Sequence, residues 1–170
     1  MFSIKSYFHA GLKIIGVLTI IWSFTHIAPV IIQFYSVYNN PEMMSPMDLT
    51  YYRFSLLFQV IYPILLVVIG IYLLKGGDAI YQIAFRNFKE INEDNMSLLF
   101  FLMMKLAGIV FIIYSLPKAF WIVSTIIFSS LSQISDIRAQ MPILIPEIIK
   151  ITIYLLFGSY LLINGKFFYK

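Results

Sequence analysis

The stretch L-K-I-I-G-V-L-T-I-I-W-S runs from Leu12 to Ser23, and M-K-L-A-G-I-V-F-I-I-Y-S runs from Met104 to Ser115. At an offset of 92, five of the twelve positions are identical and five more are conservative. A second pair of segments matches in the same order. I-G-I-Y-L-L-K-G-G, Ile69 to Gly77, aligns with F-G-S-Y-L-L-I-N-G, Phe157 to Gly165, at an offset of 88. Two matches in register with each other point to an internal duplication, with unit one at about 1–92 and unit two at about 93–170.

Working outward, each unit holds two apolar runs. They extend from Ile14 to about Tyr35, from Phe54 to Leu74, from Ser97 to about Leu131 with an interruption at Pro117-Lys118, and from Ile148 to Ile163. Such lengths suit a hydrocarbon core of about 30 Å crossed by helices rising about 1.5 Å per residue. Only helices and closed barrels satisfy their backbone in lipid, and no alternating strand pattern is present. The first run is too long for a cleaved signal peptide, contains Trp22, His26 and Pro29, and lacks an A-x-A site, so it reads as a retained anchor.

The expected fold class is therefore all-α membrane protein, one domain over residues 1–170. Four transmembrane helices form two tandem hairpins. Each unit contains an even number of spans, so the pseudo-twofold axis lies along the membrane normal. Composition agrees: 61% of residues are hydrophobic and 12% charged, with mean hydropathy +0.88. Soluble domains carry about a quarter charged residues. The chain has no cysteine, which excludes disulfides and thiol chemistry. Its net charge of +4 includes no basic run, which argues against nucleic acid.

Lysine and arginine are unevenly shared. Lys5, Lys13, Lys75, Arg86, Lys89, Lys105, Lys166 and Lys170 fall on one side, and Arg53, Lys118, Arg138 and Lys150 on the other. That bias predicts cytoplasmic N- and C-termini in a cell membrane of bacterial inner or plasma type. Between the units, D-A-I-Y-Q-I-A-F-R-N-F-K-E-I from Asp78 to Ile91 spaces Ile80, Ile83, Ala84, Phe88 and Ile91 on one helical face. This predicts a short amphipathic helix in the cytoplasmic interface, followed by a turn at Asn92–Asn95. Lys166–Lys170 reads as an interfacial aromatic-and-lysine anchor. The outer loops, about Ser36–Tyr52 and Ser129–Pro146, are short and contain Pro41, Pro46, Pro142 and Pro146. Met43, Met44 and Met47 lack His or Cys beside them and are not read as a metal site.

Candidate packing positions are Gly16, Gly108, Gly70 and Gly158, where a missing side chain lets helices approach closely. Gly77 and Gly165 read as helix C-caps. The candidate polar pocket comprises His26, Lys118, Glu147, Lys150 and Arg53, with Gln33 and Gln59 near the same level. Charges in hydrocarbon are costly, and Lys118, which follows a proline kink at Pro117, reads as the deepest. Against a pocket stands the plain alternative that the lysines and Arg53 snorkel to headgroups.

No H-E-x-x-H, G-x-S-x-G, P-loop or Gly-rich dinucleotide motif occurs, and Glu147 is the sole carboxylate near the bilayer. No catalytic residue, cofactor or metal is expected. Small multidrug exporters also have four helices, but they use a glutamate in the first span, and here there is none. The expected role is non-enzymatic, through contacts with lipid, another membrane protein or a homo-oligomer, as an accessory or immunity-type protein. The alternative is a small oligomeric transporter or channel with an outward-facing polar pocket.

Overall fold

A computed structural model describes residues 4–39, 46–86, 95–131 and 137–163. Among these residues the chain forms five helices and no strand: α1 (Ile4–Asn39), α2 (Pro46–Leu74), α3 (Asp78–Phe85), α4 (Asn95–Leu131) and α5 (Ile137–Ile163). Three stretches, Ile4–Ser36, Leu99–Ile126 and Met141–Ile163, are long and apolar enough to cross a membrane. Gln59–Leu74 together with α3 makes a fourth if that pair, bent by 73°, is taken as one span. Ile14, Leu18, Ile32, Leu57, Val68, Ile143 and Leu156 are among many large apolar side chains on the outer surface. Water would disfavour such a surface, whereas hydrocarbon does not.

The helices run further than the apolar runs alone imply. The outer loops were expected to span Ser36–Tyr52 and Ser129–Pro146, but α2 already begins at Pro46 and α5 at Ile137. Pro46 occupies the first helical position, where its missing amide has no intrahelical partner to lose. Pro142 and Pro146 lie inside α5 and leave the carbonyls of Arg138 and Pro142 without their usual donors. In a bilayer the surrounding apolar residues favour helix strongly enough to carry such interruptions. The methionines at 43 and 44, the Asn92–Asp94 part of the predicted turn, and Gly165–Lys170 lie outside the described residues.

Helices α1 and α4 run in one direction and α2 and α5 in the other. At two glycine pairs the helix backbones come together. A Cβ at Gly16 would stand 2.8 Å from the Gly70 carbonyl oxygen, and one at Gly70 would stand 2.9 Å from that of Gly16. In the other pair, a Cβ at Gly108 would stand 2.7 Å from the Gly158 carbonyl, and one at Gly158 would stand 2.9 Å from that of Gly108. Helices this close gain dispersion contacts along their length, which lipid tails cannot match by simple apolarity. Above the first glycine pair, the fully buried Ser23 donates its hydroxyl to the Pro63 carbonyl at 2.7 Å, tying α1 to α2.

Between α2 and α3 the chain turns on two left-handed glycines. Gly76 (φ 112°) donates to the Leu73 carbonyl at 3.0 Å, and Gly77 (φ 56°) to that of Tyr72 at 3.3 Å. This is a Schellman ending, with Gly76 in the left-handed position outside the helix. Gly77, expected to be the C-cap, is instead the N-cap of α3. His9 of α1 donates from Nδ1 to the Gly76 carbonyl at 2.7 Å, the tautomer being set by a carbonyl acceptor.

The turn also sets which face α3 shows to the bundle. Ala84 is buried, and Ile80, Tyr81 and Phe85 pack on the core formed by Phe8, Leu12, Leu66, Leu73, Leu102, Ile109 and Ile113. Phe85 meets Phe8 edge-on at 5.1 Å and Phe101 of α4 at 6.1 Å. Ile83, read on the same apolar face as Ile80 and Ala84, is 50% exposed. Phe88 and Ile91 lie outside the described residues. Thus α3 packs against both α1 and α4.

The glycine contacts generate a graded prediction. Valine at Gly16 or Gly108 meets backbone and must push the helices apart, costing about 1–3 kcal/mol. Alanine at Gly11, whose neighbours are the flexible methyl groups of Leu106, should be milder. Denaturation in detergent, followed by circular dichroism, ranks the three variants.

Candidate functional site

Two polar rungs cross the second hairpin. At the end where α4 begins and α5 finishes, Lys105 is 1% exposed and donates from Nζ to the Leu162 carbonyl at 2.5 Å. Its ammonium also lies 4.9 Å from the Phe101 ring centroid. Carbonyls in the last turn of a helix have no intrahelical donor, and the helix dipole concentrates negative charge there. A buried cation therefore finds both its acceptor and its favourable field at one place.

The second rung joins Lys118 of α4 to Glu147 and Lys150 of α5. Lys150 Nζ donates to Glu147 Oε1 at 2.6 Å, and Lys118 Nζ stands 3.8 Å from Glu147 Oε2. The side chains are 53%, 35% and 26% exposed for Lys150, Lys118 and Glu147, so the rung sits on the outer wall of the α4–α5 seam. Among the described residues Glu147 is its one carboxylate, which leaves a positive charge in excess.

An aromatic chain leads away from this rung. The Lys118 ammonium lies over the Tyr114 ring at 5.3 Å, and Tyr114 stacks on Trp22 of α1 at 5.7 Å. Trp22 meets His26 edge-on at 5.2 Å, and His26 meets Tyr62 of α2 at 5.3 Å. His26 donates from Nδ1 to the Trp22 carbonyl at 2.9 Å, one helical turn back. Of the five residues read as one pocket, the structure brings together Lys118, Glu147 and Lys150. His26 is on the far side of the Trp22–Tyr114 stack and does not meet Glu147. The Arg53 side chain lies outside the described residues. Gln33 is exposed, and Gln59 is partly buried.

The lysine that the fold encloses among protein atoms is Lys105, which the sequence reading treated as a flanking charge. The Gly108–Gly158 contact sets the register, and Lys105, three residues before Gly108, then falls against the end of α5. Its alignment with Lys13, which is exposed, made it look like a flanking charge. His9 was likewise missed, because its role depends on the Gly76 turn that no local pattern announces. Ser23 and Ser115 had a usable signal: both close the repeated stretch, and both are fully buried. Ser115 donates to the Ile112 carbonyl at 2.7 Å.

Among the described residues, no three His, Cys, Asp or Glu side chains gather closely enough to hold a metal. No family model matches the chain, and neither a curated protein nor a solved structure shows significant similarity to it.

The two rungs should respond differently to substitution. Lys105→Met strands the Leu162 carbonyl and should lower stability by about 2 kcal/mol. In double-mutant cycles, Glu147→Gln with Lys150→Met should show larger coupling than Glu147→Gln with Lys118→Met, following the 2.6 and 3.8 Å separations. Equal couplings would mean that the three side chains do not hold this arrangement.

Proposed function

We propose that this chain is a multi-pass membrane protein, made by duplication of a helical hairpin, that works through lipid or protein contacts and not by catalysis. The observation that carries this reading is the position of the Lys118–Glu147–Lys150 rung. It faces outward from the α4–α5 seam, where a lipid or a neighbouring protein meets it, and is not enclosed within the bundle. Duplication is supported by the paired glycine contacts, since Gly16–Gly70 and Gly108–Gly158 are equivalent positions in the alignment. An accessory or immunity-type role belongs to this class.

In the proposed topology both termini are cytoplasmic, α1, α2, α4 and α5 span the bilayer, and α3 lies at the cytoplasmic surface. The basic residue bias of eight to four supports this orientation. A second reading, a small oligomeric transporter or channel, is favoured by the same outward rung, because a second copy would enclose Lys118 and Glu147 in a shared pathway.

Two experiments bear on these statements. Reporter fusions after Asn40, after Asn92 and at Lys170 should read outside, inside and inside, and an outside signal at Lys170 reverses the topology. Liposomes containing the full chain should show no proton, alkali-cation or chloride flux above empty vesicles. A flux abolished by Glu147→Gln would replace the contact reading with the transporter.

A further inference from the structure

The two rungs lie at different levels along α4 and α5. Lys105 and Lys118 are thirteen residues apart on α4, and Lys150 and Leu162 twelve apart on α5. Both intervals correspond to about 18–20 Å along a helix, against about 30 Å for an ordinary hydrocarbon core. The rungs cannot both lie at the headgroups of an unperturbed bilayer. Lys105 is sealed by protein and needs no headgroup. The outer rung is open to its surroundings, so it meets the headgroups while Lys105 sits deeper, enclosed by protein.

Its chemistry says which headgroup. Two ammonium groups share one carboxylate. Glu147 is engaged by Lys150 at hydrogen-bond distance, while Lys118 stands beyond that distance at 3.8 Å. Lys118 therefore has N–H donors that the carboxylate does not use. Around it the wall is apolar and aromatic: Tyr114 and Trp121 lie one turn to either side on α4, with Ile143 and Ile148 exposed on α5. A cation in excess beside an exposed apolar strip matches an amphiphile with an anionic head.

We infer that the Lys118–Glu147–Lys150 rung binds the phosphodiester headgroup of an anionic glycerophospholipid, whose acyl chain lies along the Tyr114–Trp121 side of the α4–α5 seam. The phosphate supplies the missing negative charge. A lipid is favoured over free phosphate because the exposed apolar side chains beside the rung receive an acyl chain, which free phosphate lacks. This rests on the proposed contact function and specifies the lipid class.

The test uses the full chain in mild detergent, titrated with phosphatidylglycerol or phosphatidylcholine of the same acyl length, with bound lipid counted by native mass spectrometry. Phosphatidylglycerol should be retained at least about fivefold more than phosphatidylcholine, the factor expected for one basic side chain near an anionic headgroup. Lys118→Met and Lys150→Met should each reduce that preference, whereas Lys118→Arg should keep it, which separates charge from misfolding. Glu147→Gln should strengthen it, because the internal competitor for the ammonium groups is gone. A purely structural ion cluster would give the opposite sign for Glu147→Gln. Equal retention of the two lipids, a weaker preference in Glu147→Gln, or displacement of phosphatidylglycerol by millimolar inorganic phosphate overturns the inference. Because the flux measurement is separate, loss of lipid preference without flux rejects this site while leaving the contact function standing.

Discussion

The contact between glycine backbones determines most of this architecture. Where Gly16 meets Gly70 and Gly108 meets Gly158, the helices are closer than any side chain would allow. In water such proximity would be secondary to burying apolar surface. In a bilayer both the free and the packed helix are surrounded by apolar atoms, so close packing and polar bonds must drive association. Once those points touch, rotation and register of each hairpin follow. Ser23 then reaches Pro63, and Lys105 reaches the end of α5.

The two hairpin ends differ in how they satisfy their last carbonyls. After Leu74 the glycine pair folds the chain back on α2, and the turn is closed by His9 from α1. At the end of α5, a lysine from the neighbouring helix donates to Leu162. Each solution answers the requirement that terminal carbonyls near lipid find a donor. The first also launches α3, whose Phe85 bridges Phe8 and Phe101 and so couples the two hairpins beneath the bundle. A local problem of backbone polarity thereby contributes a tertiary contact.

The polar groups are distributed by the same economy. Lys105 is enclosed and anchored to a helix end, a structural position for a cation. Lys118, Glu147 and Lys150 are grouped on the outer wall, linked through Tyr114 and Trp22 to the first hairpin. Grouping these charges lets the Glu147 carboxylate offset part of the cost that isolated charges carry in apolar surroundings.

Much was legible in the residues alone. Apolar runs beyond the length of soluble-core helices, few charges and no strand alternation determined that the chain is helical and apolar enough for a membrane, because hydrocarbon imposes length and backbone satisfaction on any sequence. Glu147 was readable as a partner to Lys118 or Lys150 from their shared level, and it meets both. What the tertiary structure alone decided was rotation. A helix that is apolar on nearly every side carries little periodic signal to say which face turns inward. The burial of Lys105 and the grouping of Lys118 with Glu147 and Lys150, with His26 reached only through Tyr114 and Trp22, depend on rotation about a helix axis. In this chain glycine contacts and the Gly76–Gly77 turn set that angle, and both act between segments distant in sequence.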